Sequence, residues 1–62
     1  MTHVGRVTRI LSPTLIEVQI GNAIITAVVP LVLAGIDAGD WVHVQKDDGD
    51  YVVMSWSAQH GL

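Results

Sequence analysis

Short segments in which apolar and β-branched residues dominate recur along this chain, and turn residues separate them. Two dipeptides between such segments, Gly21-Asn22 and Asp48-Gly49, suit two-residue hairpin turns because they tolerate positive φ. Pro13 and Pro30 follow apolar segments and favour chain reversal there. The pattern predicts five strands, at residues 4–10, 14–20, 23–29, 41–46 and 50–56.

The first predicted hairpin has one apolar side and one mixed side. A two-residue turn at Gly21-Asn22 fixes which residues face each other. The side expected to be core carries the pairs Ile20–Ala23, Val18–Ile25 and Ile16–Ala27. The side expected to be partly exposed, or to contact a neighbour, carries Gln19–Ile24, Glu17–Thr26 and Leu15–Val28.

The second predicted hairpin carries apolar groups on both sides. The turn at Asp48-Gly49 predicts Val42–Ser55, Val44–Val53 and Lys46–Tyr51 on one side, and Trp41–Trp56, His43–Met54 and Gln45–Val52 on the other. Whichever side faces inward, the other leaves an apolar patch in water unless a partner covers it. This hairpin is therefore the favoured interface.

Between the two hairpins, residues 31–36 are too apolar and too few for an ordinary surface loop, and they predict one helical turn that plugs the barrel end. Five short strands in 62 residues predict a single all-β domain over residues 1–62. Closure into a barrel removes strand edges that would aggregate, so we expect a small five-stranded barrel, OB-like or SH3-like.

The composition predicts association with other protein chains. Half of the residues are apolar and 15% are charged, while a domain of this size buries only about 60% of its chain surface. There is no cysteine to form a disulfide or a thiolate zinc site, so oligomerisation is the expected support. The residues expected at the interface are Trp41, Met54 and Trp56, with Leu15, Ile24 and Val28 on the mixed face.

The charge balance argues against nucleic acid as a partner. The formal net charge is −3 with three Lys plus Arg residues, which makes no positive footprint for a polyanion. The apolar stretch 20–36 contains Gly21, Asn22, Pro30 and Gly35, so we expect no membrane span. Residues 1–6 do not show the charged and apolar regions of a signal peptide, so we expect no secretion signal.

No constellation of residues predicts catalysis, a metal or a cofactor. His3, His43 and His60 lie on different elements without zinc-ligand spacing, and 47–50 reads as a solvated turn rather than a calcium loop. No serine lies in a nucleophile elbow, and the six glycines are dispersed rather than grouped around a phosphate. We therefore expect a protein that is not an enzyme.

Three motifs resemble a known family: Val4-Gly5-Arg6-Val7, Gly39-Asp40-Trp41-Val42-His43-Val44 and Asp50-Tyr51-Val52-Val53-Met54. Together they resemble the short OB-fold modules of tailed-bacteriophage structural proteins, found in tail, baseplate, neck or capsid-decorating components. The resemblance implies a virion protein, assembled in the host cytoplasm, that packs as a homo-oligomer or against a larger virion protein. In that family a glycine often follows the closing strand. This chain departs from the pattern, because it continues with residues 55–62 instead.

Other classes share the outline of a small barrel. A nucleic-acid-binding barrel of the OB or S1 type would require Arg6, Arg9 and Lys46 to converge beside Trp41 or Trp56. A hydrogenase-maturation chaperone would require an N-terminal cysteine, which this chain does not have. A carrier would require a site for a transferable metal or ligand, and the sequence contains no group of residues that predicts one.

Overall fold

Five β-strands and no helix make up the described part of the chain. The structure is a computed structural model and describes residues 2–33 and 35–58. The strands are β1 (Thr2–Ser12), β2 (Leu15–Ile20), β3 (Ala23–Val28), β4 (Trp41–Asp47) and β5 (Asp50–Ser57). The predicted strands are confirmed, and β1 is longer than expected.

The strands close into a barrel in the order β1-β2-β3-β5-β4. β1 pairs antiparallel with both β4 and β2, and the barrel closes through parallel pairing of β3 with β5. This Greek-key order is that of an OB barrel, the first of the two predicted alternatives. The closing contact is short, since only Ala27–Tyr51 and Val28–Val52 are paired across it.

The long strand β1 passes from one partner strand to the other near Gly5. Residues 2–6 pair with β4, and Arg6 also faces Gln19 of β2. A Cβ on Gly5 would lie 2.4 Å from Cγ1 of Val18 and 2.8 Å from the carbonyl oxygen of Gln19. Glycine therefore allows the backbones of β1 and β2 to approach each other closely at this crossing.

Both hairpin turns have the predicted backbone conformation. Gly21 has φ of 61°, while Asn22 is not among the positive-φ residues, as in a turn with glycine at its first central position. Asp48 and Gly49 have φ of 52° and 86°, as the mirror-image turn of type I′ requires. All six residue pairs predicted for the first hairpin are confirmed.

The second hairpin departs from its predicted register halfway along. The pairs Val44–Val53, Gln45–Val52 and Lys46–Tyr51 are confirmed. Beyond them the register shifts between His43 and Val44, so that Met54 is an extra residue in β5. The pairs expected beyond this point are wrong: Val42 faces Trp56, His43 faces Ser55 and Trp41 faces Ser57.

The core is a small cluster of apolar side chains to which all five strands contribute, and all of its members except Ala27 are β-branched. Val18, Val42, Val44 and Val53 have no exposed surface. The predicted apolar side of the first hairpin faces inward, because Ile16, Val18 and Ala27 are buried while Ile20 and Ile25 are half-buried. The other members of the buried cluster are Val7 and Val29.

The predicted helical turn between the hairpins is a single hydrogen-bonded turn. The Leu33 N–H donates to the Pro30 carbonyl at 2.9 Å, and no helix follows among the described residues. Leu33 and Ile36 are half-buried and pack against the core, whereas plugging of a barrel end stays a prediction. They also line an open pocket of about 180 Å³ beside Ile16.

The entry to β4 is a tight turn tied to β1. The Asp40 N–H donates to the Asp37 carbonyl at 3.1 Å, and Gly39 within this turn has φ of 95°. The buried Asp40 carboxylate accepts the Asp37 N–H at 2.8 Å. The Val7 N–H donates to the Asp40 carbonyl at 2.9 Å, and the Val7 carbonyl accepts the Gly39 N–H at 2.8 Å. These two bonds tie the turn to β1.

Candidate protein interface

Several large apolar side chains are exposed to solvent on this small domain. The core needs only one face of each strand, so apolar residues on the other face stand in solvent. The large apolar side chains exposed among the described residues are Val4, Ile10, Leu11, Ile24, Val28, Leu31, Val32, Trp41 and Met54. Four of the six predicted interface residues belong to this set: Trp41, Met54, Ile24 and Val28.

Trp41 lies on the outer wall at the start of β4, where it is 43% exposed. Its neighbour across the sheet is Arg6, whose guanidinium carbon lies 5.4 Å from the centre of the indole ring. Arg6 Nε also donates to the Gly39 carbonyl at 3.1 Å, which holds the guanidinium in place. Trp41 therefore presents a large, oriented aromatic surface.

A shallow depression lies beside this aromatic surface. Val4, Gln19 and Gly21 line it together with Arg6 and Trp41, and its volume is about 270 Å³. The Gln19 side-chain amide donates to the Gly21 carbonyl at 3.2 Å, so one wall is tied to the β2–β3 turn. The depression mixes one cation and one amide with apolar walls, which is typical of protein interfaces.

The mixed face predicted for the first hairpin is on the outer wall. Leu15 pairs with Val28, and Val28 pairs in turn with Val52 of β5, which gives three apolar residues side by side across three strands. Leu15 and Val52 are half-buried, and Val28 is exposed. Ile24 lies further along β3 on the same face and is 62% exposed.

The grouping of Trp41, Met54 and Trp56 on one face is wrong. Because Met54 is the extra residue of the bulge, it is 54% exposed, and the residues after it change sides relative to the expected pairing. Trp56 then faces Val42 and packs half-buried against the core. Its indole lies beside Gly35, where an added Cβ would be 3.5 Å from Trp56 Cζ2.

Two exposed apolar residues were not among the predicted interface residues. Leu31 and Val32, in the turn after Pro30, are 85% and 88% exposed. The sequence indicates apolar side chains here, since residues 31–36 form an apolar run. It does not indicate which residues of the run face outward. The structure divides it: Leu33 and Ile36 contact the core, and Leu31 and Val32 face outward.

The three basic residues contact three different side chains and do not converge. Arg6 contacts Trp41, Arg9 lies 3.9 Å from the carboxylate of Glu17, and Lys46 lies over the ring of Tyr51 at 5.9 Å. A site for single-stranded nucleic acid combines aromatic platforms with a positively charged groove. Only one of the three cations accompanies Trp41 here.

The histidines are also dispersed. His3 makes an edge contact with Tyr51 at 6.1 Å between ring centres, and His43 Nδ1 lies 3.3 Å from the Ser55 hydroxyl. Residues 2–33 and 35–58 contain no group of three or more His, Cys, Asp or Glu side chains that could hold a metal ion. His60 lies outside the described residues.

Comparison with protein-family models, with curated proteins and with solved structures finds no match for this chain. No helix in the described part of the chain is long and apolar enough to span a membrane.

Proposed function

We propose that this protein is a non-enzymatic assembly module, a structural component of a bacteriophage virion that packs as a homo-oligomer or against a larger virion protein. The observation that carries the proposal is the apolar outer wall, above all Ile24, Met54 and Trp41. Exposed apolar side chains of this size, on a domain whose core is already formed, favour contact with the surface of another protein.

The composition of the outer wall supports protein contact over catalysis. The tryptophan is held by Arg6, and Trp and Arg are the residue types enriched among interface hot spots. Catalysis requires a nucleophile, acid or base in mutual hydrogen-bonding geometry. The contact between the Ser55 hydroxyl and His43 Nδ1 is exposed on the strands.

The virion assignment rests on the motif resemblance and on the local geometry of its residues. In the Gly39-Asp40 motif the glycine takes positive φ, the aspartate side chain caps the turn, and Val42 and Val44 are wholly buried. These four residues thus have physical roles in forming a short barrel. A small rigid barrel with an apolar outside is a suitable unit for rings and collars.

Light scattering over a range of protein concentrations tests the assembly role, and capture of partners from phage-infected cells tests the virion role. We expect a defined oligomer, or a stable complex with a virion protein. A strict monomer that captures no virion protein would exclude the proposal.

One observation favours a second candidate, a nucleic-acid-binding barrel: the Arg6 guanidinium stacked on Trp41 resembles a platform for a base. Fluorescence anisotropy with labelled oligonucleotides decides between the two. Tight binding that weakens steeply with salt, and that Trp41→Ala abolishes, would favour the nucleic-acid role.

A further inference from the structure

A row of three exposed side chains crosses three neighbouring strands on the outer wall. Arg6 of β1 pairs with Gln19 of β2 on one side and with Trp41 of β4 on the other. Residues directly opposite each other on neighbouring strands point to the same face of a sheet. The same three residues line the shallow depression described above. Its cation therefore lies between an amide and an aromatic ring.

The guanidinium group of Arg6 is held in a way that leaves its terminal nitrogens for a ligand. Its Nε donates to the Gly39 carbonyl at 3.1 Å, and its central carbon lies 5.4 Å from the centre of the Trp41 ring. A guanidinium group carries five N–H donors, of which this bond uses one. The edge formed by its terminal nitrogens binds a carboxylate through two parallel hydrogen bonds. Arg6 is thus oriented before a ligand arrives.

The charge of Arg6 has no ion-pair partner among the described residues, where the ion pair is that of Arg9 with Glu17. Asp40 belongs to the turn that Arg6 contacts, but its carboxylate accepts the Asp37 N–H at 2.8 Å. Arg6 therefore offers charge-assisted donors on the outer wall, and such donors select a negatively charged acceptor.

The walls around Arg6 add one polar group and two apolar surfaces. Gln19 Nε2 donates to the Gly21 carbonyl at 3.2 Å and carries a second N–H that this bond does not use. Trp41 is 43% exposed and Val4 is 54% exposed. A ligand that fits these walls carries an anionic group beside an apolar group.

We propose that this depression binds one acidic side chain, Asp or Glu, of a partner protein. The carboxylate binds the terminal nitrogens of Arg6, and an apolar group next to it in the partner packs on Trp41 and Val4. The inference rests on the proposed assembly role and names the chemistry by which the partner is recognised at this site.

Physical reasons favour an acidic side chain within a protein surface over other anions. An exposed ion pair contributes little by itself, so a free small acid gains little from Arg6. A partner that also covers Trp41 removes water from the ion pair, which strengthens the pair and leaves it little screened by salt. One cation on a chain of net charge −3 disfavours a polyanion such as nucleic acid.

Nuclear magnetic resonance titration with capped peptides tests the site on the unmodified chain, at a dilution where light scattering gives the monomer mass. The probes are the tripeptide Leu-Glu-Leu and its counterpart Leu-Gln-Leu, both acetylated and amidated. We expect the glutamate peptide to shift the signals of the Trp41 indole N–H and Arg6 Nε–H with a millimolar dissociation constant, and the glutamine peptide to bind at least about fivefold more weakly. Equal binding, or no shift of either signal up to about 20 mM peptide, overturns the site.

Matched variants of two arginines on β1 assign the effect to Arg6. We expect Arg6→Gln to abolish the preference for the glutamate peptide. Arg9→Gln changes an arginine whose side chain is 70% exposed and which lies beside Glu17, so the preference should remain. Arg6→Lys keeps the charge but loses the two-bond geometry, and its affinity should be at least about threefold lower than that of the unmodified chain. A preference that survives in Arg6→Gln overturns the assignment, and circular dichroism melts establish that each variant folds.

Two further probes separate the sources of the anion. Tighter binding of Leu-Gln-Leu with a free C-terminal carboxylate would replace the acidic side chain by a chain end. Tighter binding of an oligothymidylate would replace it by nucleic acid. Failure of the peptide test in a chain that still assembles overturns this site and leaves the assembly role standing. A preference for the glutamate peptide in a chain that neither assembles nor captures a virion protein supports the site and excludes the virion role.

Discussion

Single residues at the crossings of strands determine how tightly this barrel closes. Gly5 is the position where β1 leaves β4 for β2, and neighbouring atoms already occupy the space of a side chain. At the entry to β4, Gly39 takes a conformation that favours glycine, and the buried Asp40 carboxylate caps the turn. These two sites matter because a 62-residue domain has little other packing to spare.

We predict that Gly5→Ala lowers the free energy of unfolding by more than about 2 kcal/mol, because the added methyl group overlaps Val18 and the β2 backbone. Gly21→Asn is the control, since an added Cβ there meets no atom within 4 Å and asparagine tolerates positive φ. Chemical denaturation of both variants measures the difference. Equal stability of the two would contradict the close approach at Gly5.

The faces of β2 supply a second prediction at this scale. Val18 is wholly buried, so Val18→Asp places a charge in the core and costs on the order of the total stability of such a domain, about 3 to 9 kcal/mol. Glu17→Lys replaces a half-exposed residue whose ion pair with Arg9 is long, and we expect a loss below about 1 kcal/mol. Circular dichroism melts compare the two. Similar losses would contradict the assigned faces.

At the scale of elements, the bulge in β5 decides what the second hairpin offers to a partner. By inserting Met54 as an extra residue, it keeps Val53 inward and also turns Trp56 inward, and it leaves Met54 on the outside. One tryptophan of the hairpin thus stabilises the barrel while the other, Trp41, stands on the outer wall. The interface candidates of this hairpin are therefore Trp41 and Met54.

We predict that Trp56→Ala lowers the free energy of unfolding by about 2 to 4 kcal/mol, because the indole packs against the core. Trp41→Ala should cost about 1 kcal/mol or less, mainly the contact with Arg6, and should instead weaken assembly. Thermal melts and light scattering on both variants separate the two roles. A preserved melt for Trp56→Ala with lost assembly would return Trp56 to the interface.

At the scale of the whole molecule, a thin core is surrounded by an apolar exterior. Eight residues form the buried apolar cluster, while nine large apolar side chains are exposed among the described residues. Under the proposed assembly role, association would stabilise such a barrel further, because each contact would remove apolar surface from water. Few charges oppose that approach.

We predict that assembly is insensitive to salt and that oligonucleotides bind weakly. Apolar and main-chain contacts do not release counterions, so raising the salt from about 50 to 200 mM should leave the oligomer mass unchanged. Sedimentation velocity at both salt concentrations, with anisotropy of a labelled oligonucleotide, provides the measurement. An oligomer that dissociates as salt rises would point to charged contacts in place of the apolar outer wall.

Local chemistry was sufficient to predict the strands, both turns and the whole register of the first hairpin. A two-residue turn with the right φ values leaves only one pairing, and the alternation from Leu15 to Val28 then separates core from surface. The cap of the turn before β4 is also local, since the Asp40 N–H and the Asp40 carboxylate both bond to the main chain of Asp37.

Only the tertiary structure decided the rest, because it depends on contacts between residues distant in the chain. The bulge at Met54 adapts β5 to β4 on one side and to the barrel end on the other, and the turn at Asp48-Gly49 carries no information about it. The outward position of Leu31 and Val32 and the meeting of Arg6 with Trp41 arise in the same way. They follow from closure of the barrel, which joins β1 to β4 and β3 to β5 across long stretches of sequence.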